Sequence, residues 1–141
     1  MNRGLSIAFG VNTFLTFMAF ILLVVKPPLL GEAVGWHIDS SAHYYGYMLG
    51  AAEWGLAALT FFGRKLTDPQ ALRVICLAVI VFHVSSACVL MYTFFAGGSD
   101  FAPGLWTNVI VPRFGISALC AYFGLYKLST THKESDLSRA T

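Results

Sequence analysis

Four long apolar runs, separated by short polar connections, constrain this chain more than any other feature. The runs extend over about Leu5–Val25, Ala42–Phe62, Ala71–Phe95 and Leu105–Leu128. Each is long enough to cross a bilayer, which takes about 20 apolar residues in a helix. Because backbone groups in lipid must form hydrogen bonds within their own segment, the runs predict helices. The sequence therefore predicts an all-α fold, a bundle of four transmembrane helices.

The composition excludes several classes of protein. Only 11% of the 141 residues are charged and 57% are hydrophobic, whereas a soluble domain carries roughly 25% charged residues. A soluble enzyme, a disordered chain and a nucleic-acid-binding module are therefore not expected. The net charge of +2 is too small to favour a polyanionic partner. The expected partners are the lipid bilayer and a lipophilic small molecule, and the oligomeric state is left open, including a homo-oligomer.

The first run is predicted to be a retained helix. It is longer than the apolar core of a signal peptide, which has about 7–15 residues. It is followed by Lys26-Pro27-Pro28, which is not a small-residue cleavage site. Residues 1–128 are predicted to form one transmembrane domain. Residues 129–141 are too polar to pack and are predicted to form a flexible cytoplasmic tail.

Lysine and arginine are distributed unequally between the two predicted sides of the membrane. With four spans, both termini and the middle loop share one side, and the other side holds only Lys26. The basic residues on the shared side are Arg3, Arg64, Lys65, Arg73, Lys127, Lys133 and Arg139. Because such residues accumulate in cytoplasmic loops, both termini are predicted to be cytoplasmic. The predicted localisation is that of a multi-pass integral membrane protein.

Three ionisable residues, Glu53, His83 and Arg113, lie well inside the predicted spans. At about 1.5 Å per residue, they lie roughly 16, 18 and 12 Å below the outer ends of their helices. An unpaired ionisable group in hydrocarbon is costly, so such groups face the bundle interior or a wet cavity. We therefore expect the three side chains to meet in one layer, in a shared dry pocket.

Polar and small residues recur at helical spacing on the same faces as the three ionisable residues. The stripes are Asn12, Thr16 and Ala19; His43, Gly46, Gly50, Glu53 and Ala57; Val79, His83, Ser86 and Leu90; and Arg113, Ser117, Cys120 and Gly124. Pro112 leaves a carbonyl one turn earlier without its donor and predicts a kink beside Arg113. Tyr47, Trp54 and Tyr92 are expected to line the bundle, where they would stabilise a developing cation.

Three interpretations of the ionisable residues compete. In the first, Glu53 and Arg113 form a buried ion pair that holds two helices together. In the second, they form a reactive centre, with Glu53 and His83 as an acid/base pair that exchanges protons near neutral pH. Arg113 then orients the substrate or stabilises an oxyanion. In the third, the residues belong to a proton or ion pathway.

Three residues before the second helix could bind a metal ion or could simply belong to the start of that helix. His37, Asp39 and His43 are potential metal ligands before the second helix, but Asp39 also suits a helix N-cap. No metal or cofactor is required by the visible residues.

The sequence has three cysteines, Cys76, Cys88 and Cys120, and none belongs to a CxxC motif. We expect them to be buried small apolar residues, and neither a redox dithiol nor a zinc site is predicted.

The second and third spans resemble a known family. Leu49–Leu56, read LGAAEWGL, is followed by Arg64 and then by Val81–His83, read VFH. This pattern is similar to that of DoxX-like small four-helix membrane proteins, and the resemblance implies a four-helix bundle. Some members of that family are linked to quinol or thiosulfate oxidation. The size and polar layout are also similar to small membrane proteins of fungal polyketide and terpenoid pathways.

The favoured function is that of a small membrane enzyme. It would act by acid–base chemistry, such as epoxide opening, cyclisation or isomerisation, on a lipophilic small molecule in a secondary-metabolite pathway. Its catalytic residues would be Glu53, His83 and Arg113. The alternatives are a non-catalytic membrane subunit and a small transporter or proton conduit.

Overall fold

Four helical segments make up almost all of the described chain. The computed structural model describes residues 3–26, 40–97, 106–128 and 130. The helices are α1 (Arg3–Phe20, continued by a π-helical segment Ile21–Val25), α2 (Ser40–Gly63), α3 (Pro69–Gly97) and α4 (Val111–Cys120, flanked by π-helical segments Trp106–Ile110 and Ala121–Lys127). No strand occurs within these ranges, so the predicted all-α fold is confirmed for them. The predicted tail lies outside the described residues, except for Thr130.

The start of α3 follows directly from its sequence. The Asp68 carboxylate accepts hydrogen bonds from the backbone N–H groups of Gln70, at 3.3 Å, and Ala71, at 2.8 Å. Asp68 is therefore the N-cap, and Pro69 occupies the first helical position, where its missing N–H costs nothing. The predicted break between the second and third runs lies at this point.

The fourth helix changes its hydrogen-bonding pattern next to Pro112. The π-helical segment Trp106–Ile110 ends just before this proline. Proline has no N–H to donate to the carbonyl one turn earlier, so the regular ladder is interrupted there. Irregular helical turns of this kind commonly lie near functional sites. The kink predicted beside Arg113 stays a prediction, and the structure shows a change of helix type between Ile110 and Val111.

The helices pack as an antiparallel bundle. α1 packs along α2, α3 packs along the fourth helix, and the two pairs meet mainly through α1 and the fourth helix. Gly4 lies against the Phe123 ring, and Gly63 lies beside Phe9 and Ile75. One end of the bundle therefore contains the start of α1, the end of α2, the start of α3 and the end of the fourth helix. We call this the closed end.

An apolar core fills the closed end. Its buried members come from all four helices: Leu5, Phe9, Leu56, Leu72, Ile75, Cys76, Val79, Ile116 and Cys120. Burial of apolar side chains in close contact supplies the packing that fixes these helices relative to one another. The ionisable residues described below, Glu53, His83 and Arg113, lie further from the closed end than the core residues of their helices.

The outer surface of the bundle is also apolar. Two helical stretches, Arg3–Val25 and Pro69–Tyr92, are long and apolar enough to cross a membrane, with mean hydropathies of 2.2 and 2.6. Only 28% of each stretch is buried within the bundle. The core helix of a soluble protein would be mostly buried, whereas a helix that is apolar all round suits a lipid environment.

Candidate functional site

All four helices contribute buried polar side chains to one network, which we call the polar cluster. Its members are Asn12, Thr13, Glu53, Thr60, His83, Ser86 and Arg113. The structure therefore brings the three predicted site residues together. Buried polar groups must find partners because each unpaired one costs free energy. The contacts below account for most of these partners.

The ion pair between α2 and the fourth helix forms the centre of the cluster. Arg113 Nη2 donates to Glu53 Oε1 at 2.5 Å. The Glu53 side chain is 1% exposed and that of Arg113 is 9% exposed, so water screens this pair poorly. Charge-assisted hydrogen bonds of this length are strong. Two oppositely charged groups that would each be costly if buried alone thus neutralise one another.

A second contact of Arg113 joins the fourth helix to α3. Its Nη1 lies 3.2 Å from His83 Nδ1 and donates to Ser86 Oγ, also at 3.2 Å. The Ser86 hydroxyl in turn donates to the Phe82 carbonyl. The guanidinium also lies over the Phe82 ring, with Cζ 5.6 Å from the ring centroid, which is a cation–π distance. One side chain therefore connects three helices.

These contacts determine the tautomer of His83. An arginine nitrogen can only donate, so Nδ1 of His83 accepts. The other ring nitrogen, Nε2, then carries the hydrogen and donates to Asn12 Oδ1 at 2.7 Å. His83 is therefore a neutral imidazole with both nitrogens occupied.

The amide of Asn12 extends the network to α2. Because its oxygen accepts from His83, its Nδ2 is free to donate, and it does so to Thr60 Oγ1 at 3.1 Å. The Thr60 and Thr13 hydroxyls are 2.9 Å apart. Asn12 is fully buried and links α1 both to α3 and to α2. It lies on the weak polar face predicted for the first helix, but its central position was not predicted.

Two atoms of the ion pair have no hydrogen-bond partner among the described residues. They are Glu53 Oε2 and Arg113 Nε, an acceptor and a donor, and both are buried. A buried group of this kind in a native structure calls for an explanation, such as a ligand or a catalytic role. Glu53 is thus the cluster residue with an acceptor oxygen left for a bound molecule.

The predicted aromatic lining is wrong. Tyr47, Trp54 and Tyr92 are 45%, 49% and 71% exposed, so they point away from the bundle interior. Trp54 instead packs on the outside against Phe17 and Phe20, with ring centroids 5.5 and 5.3 Å apart. Many other large apolar side chains are also exposed on the outside of the bundle, so the aromatic character of a residue does not indicate which face it occupies.

An apolar groove of about 370 Å³ lies away from the cluster. It is lined by one face of α2, from Gly55 to Gly63, by Leu66 after the end of that helix, and by Ile75 of α3. No member of the polar cluster lines it. The shared pocket expected around the three ionisable residues is therefore not this groove.

The potential metal ligands before the second helix, His37, Asp39 and His43, lie outside the described side chains. Residues 27–39 are not described, and neither is the His43 side chain. In the part of the chain that is described, no group of three or more His, Cys, Asp or Glu residues is placed to hold a metal ion.

The cysteines follow their prediction only in part. Cys76 and Cys120 are buried in the apolar core, as expected, whereas Cys88 is exposed.

Removing the amide of Asn12 is expected to destabilise the bundle. Asn12→Ala leaves the His83 Nε2–H without its acceptor and removes a donor to Thr60. An unsatisfied buried group of this type costs about 2 kcal/mol of unfolding free energy. Unfolding in mixed detergent micelles measures the change. The matched control is Thr16→Val, because the buried Thr16 hydroxyl donates only within α1, to the Asn12 and Thr13 carbonyls. Equal losses for the two variants would contradict the central position of Asn12.

No family model, curated protein or solved structure matches the chain. The resemblance to DoxX-like proteins stays a prediction.

Proposed function

We propose that this chain is a multi-pass integral membrane enzyme that performs acid–base chemistry on a lipophilic small molecule. The single observation that carries this proposal is the buried Glu53–Arg113 pair, in which Glu53 Oε2 and Arg113 Nε lack partners among the described residues. A substrate hydroxyl, epoxide or carbonyl can offer complementary groups to such atoms. The reaction classes are epoxide opening, cyclisation and isomerisation, each of which moves protons without a redox cofactor.

Each residue of the ion pair and its neighbour has a proposed role. Glu53 exchanges a proton with the substrate through Oε2, and Arg113 stabilises the oxygen that gains negative charge. His83 is held by Arg113 and Asn12. It takes part in proton transfer when Arg113 turns toward the substrate oxygen and leaves Nδ1 free. The acid/base pair is therefore assembled by substrate binding.

A test of this proposal uses purified protein in lipid nanodiscs. The protein is incubated with a lipophilic extract from a strain that lacks the gene, and products are identified by mass spectrometry. Glu53→Gln is expected to reduce product formation by a factor of about 10²–10⁴, the usual contribution of a positioned proton-transfer group. This variant keeps the size of the side chain, so folding can be verified by its thermal midpoint.

The control for this test is Ser117→Ala. The Ser117 hydroxyl is buried near the cluster, but it donates to the Arg113 carbonyl within its own helix, at 2.9 Å. Its loss should leave product formation within a few-fold of the unchanged protein. Equal activities of Glu53→Gln and the unchanged protein would refute the catalytic role of Glu53.

The membrane topology is part of the proposal. The apolar outer surface and the unequal distribution of Lys and Arg support insertion with both termini in the cytoplasm. Epitope tags at the two termini should be inaccessible to external antibody until cells are permeabilised. A tag inserted after Glu32, in the predicted outer loop, should be accessible in intact cells. External access to either terminal tag would overturn this orientation.

A non-catalytic membrane subunit is the second candidate. The observation that favours it is that most polar atoms of the cluster already have hydrogen-bond partners. Arg113, for example, already contacts Glu53, His83 and Ser86. Loss of complex assembly in Arg113→Ala, with product formation undetectable in any extract, would support this candidate. A proton conduit is less well supported, because the amide of Asn12 interrupts the chain of groups that can both accept and release a proton.

A further inference from the structure

Two cysteines from different helices meet in the apolar core at the closed end. Cys76 on α3 and Cys120 at the end of α4 are both fully buried, and both belong to the same apolar core cluster. Gly124 lies one turn beyond Cys120, and a Cβ added to it would collide with the Cys76 sulfur and Cβ. The backbones of α3 and the fourth helix therefore approach closely beside this pair.

The two cysteines lie on the same helix seam as the polar cluster. Cys76 precedes His83 by seven residues, and Cys120 follows Arg113 by seven residues. Seven residues are about two turns, so each cysteine projects from the same face as its cluster residue. Because the two helices are antiparallel and His83 contacts Arg113, this register places Cys76 opposite Cys120, two turns further along the seam.

We propose that Cys76 and Cys120 are a redox-active pair that forms a disulfide between α3 and the fourth helix in the folded protein. The oxidant is a lipid-soluble acceptor of two electrons and two protons, since the thiols are shielded from water by the bundle. Both S–H bonds break, one S–S bond forms, and the two electrons and two protons pass to the acceptor. This bridge covalently fixes the seam on which His83 contacts Arg113.

Geometry and ligand supply favour a disulfide over a metal site. A disulfide requires Cα atoms about 4.4–6.8 Å apart, so its two helices must approach closely, as α3 and the fourth helix do where Cys76 lies against Gly124. Structural zinc takes four ligands, and no group of three or more potential ligands is placed together among the described residues. The third cysteine, Cys88, lies exposed on the same helix as Cys76 and does not belong to the pair.

The test uses the full-length protein with Cys88→Ser, in nanodiscs. It is treated with diamide, a membrane-permeable azo compound that accepts two electrons and two protons to become a hydrazine. The sample is then denatured in the presence of N-ethylmaleimide, which blocks the free thiols. Any disulfide is reduced afterwards, and the released thiols are labelled with maleimide–polyethylene glycol. We expect two labels on a monomeric chain after diamide and none without it. Unlabelled protein after diamide, or label confined to a disulfide-linked dimer, would overturn the proposal.

The matched control adds Cys120→Ser to the same background, so that Cys76 is the remaining thiol. This protein should stay unlabelled after diamide, and labelling of it would show oxidation that needs no pair. The thermal midpoint gives a second readout. Diamide should raise the midpoint of the protein that keeps both thiols and leave that of the control unchanged. A lower midpoint after bridging would mean that the native seam does not accommodate the disulfide, which contradicts the proposal.

Discussion

Replacing Arg113 with alanine is expected to lower the free energy of unfolding by about 3–5 kcal/mol, the usual cost of removing one partner from a buried ion pair. The variant leaves the Glu53 carboxylate buried without its counter-charge, and it also removes the donors to His83 and Ser86. Titration of the folded protein with denaturing detergent, followed by circular dichroism, measures the loss.

A compensating variant separates the charge effect from the loss of packing. Glu53→Gln combined with Arg113→Met removes both charges and keeps most of the side-chain volume. Because neutral replacement of a whole buried pair is often tolerated, this double variant should recover most of the stability that Arg113→Ala loses. If Arg113→Ala alone costs less than about 1 kcal/mol, the pair behaves like an exposed salt bridge, and the buried assignment is wrong.

The second large effect is expected at Gly124. Gly124→Leu should cost about 3 kcal/mol or more, the upper range for overpacking a filled site. Even the Cβ of the new side chain would overlap Cys76, whose sulfur and Cβ both lie within 3 Å of it. Relief of this overlap requires α3 and the fourth helix to move apart, which disrupts the His83–Arg113 contact on the same seam. The thermal midpoint in detergent measures this effect.

Gly115 provides a matched control on the same helix. A Cβ added there meets no atom within 4 Å, so Gly115→Leu places an apolar side chain on the outer surface. Leucine favours the helix over glycine by close to 1 kcal/mol, and the variant should be neutral or slightly stabilised. Comparable losses of thermal midpoint for Gly124→Leu and Gly115→Leu would contradict the prediction, because only Gly124 packs against Cys76.

Much of the fold was predictable because long apolar runs separated by short polar connections indicate long helices. The predicted runs match the helices of the described chain to within about two residues at their described ends. The depth arithmetic that placed Glu53, His83 and Arg113 in one layer also agrees with their direct contacts. Antiparallel helices of similar length bring residues at similar depth together, so the layer followed from the sequence.

The partners within the layer were harder to predict. Depth alone does not say that Arg113 contacts both Glu53 and His83, because that depends on how each helix is rotated about its axis. The rotation is set by packing, for example by Gly4 against Phe123. The prediction of an aromatic lining was wrong for a related reason. Apolar side chains lie on both the inner and the outer faces of these helices, so their apolar character does not indicate which face they occupy.

The sequence spacing of the two cysteines indicates that they face each other only when the pairing of α3 with the fourth helix is known. A heptad separates Cys76 from His83 and Arg113 from Cys120, but no short motif connects positions 44 residues apart in the chain. A search for matched heptad offsets on antiparallel spans would have identified the pair.

The pairing of the helices has a consequence for how the chain assembles. α1 with α2, and α3 with the fourth helix, are two hairpins that meet mainly through α1 and the fourth helix. The first half supplies Asn12 and Glu53, and the second supplies His83 and Arg113. Either half alone carries a charged group without its partner, and a misaligned junction would leave a buried charge unpaired at a cost of about 3–5 kcal/mol. The ion pair therefore favours the alignment of the two halves in which Glu53 meets Arg113.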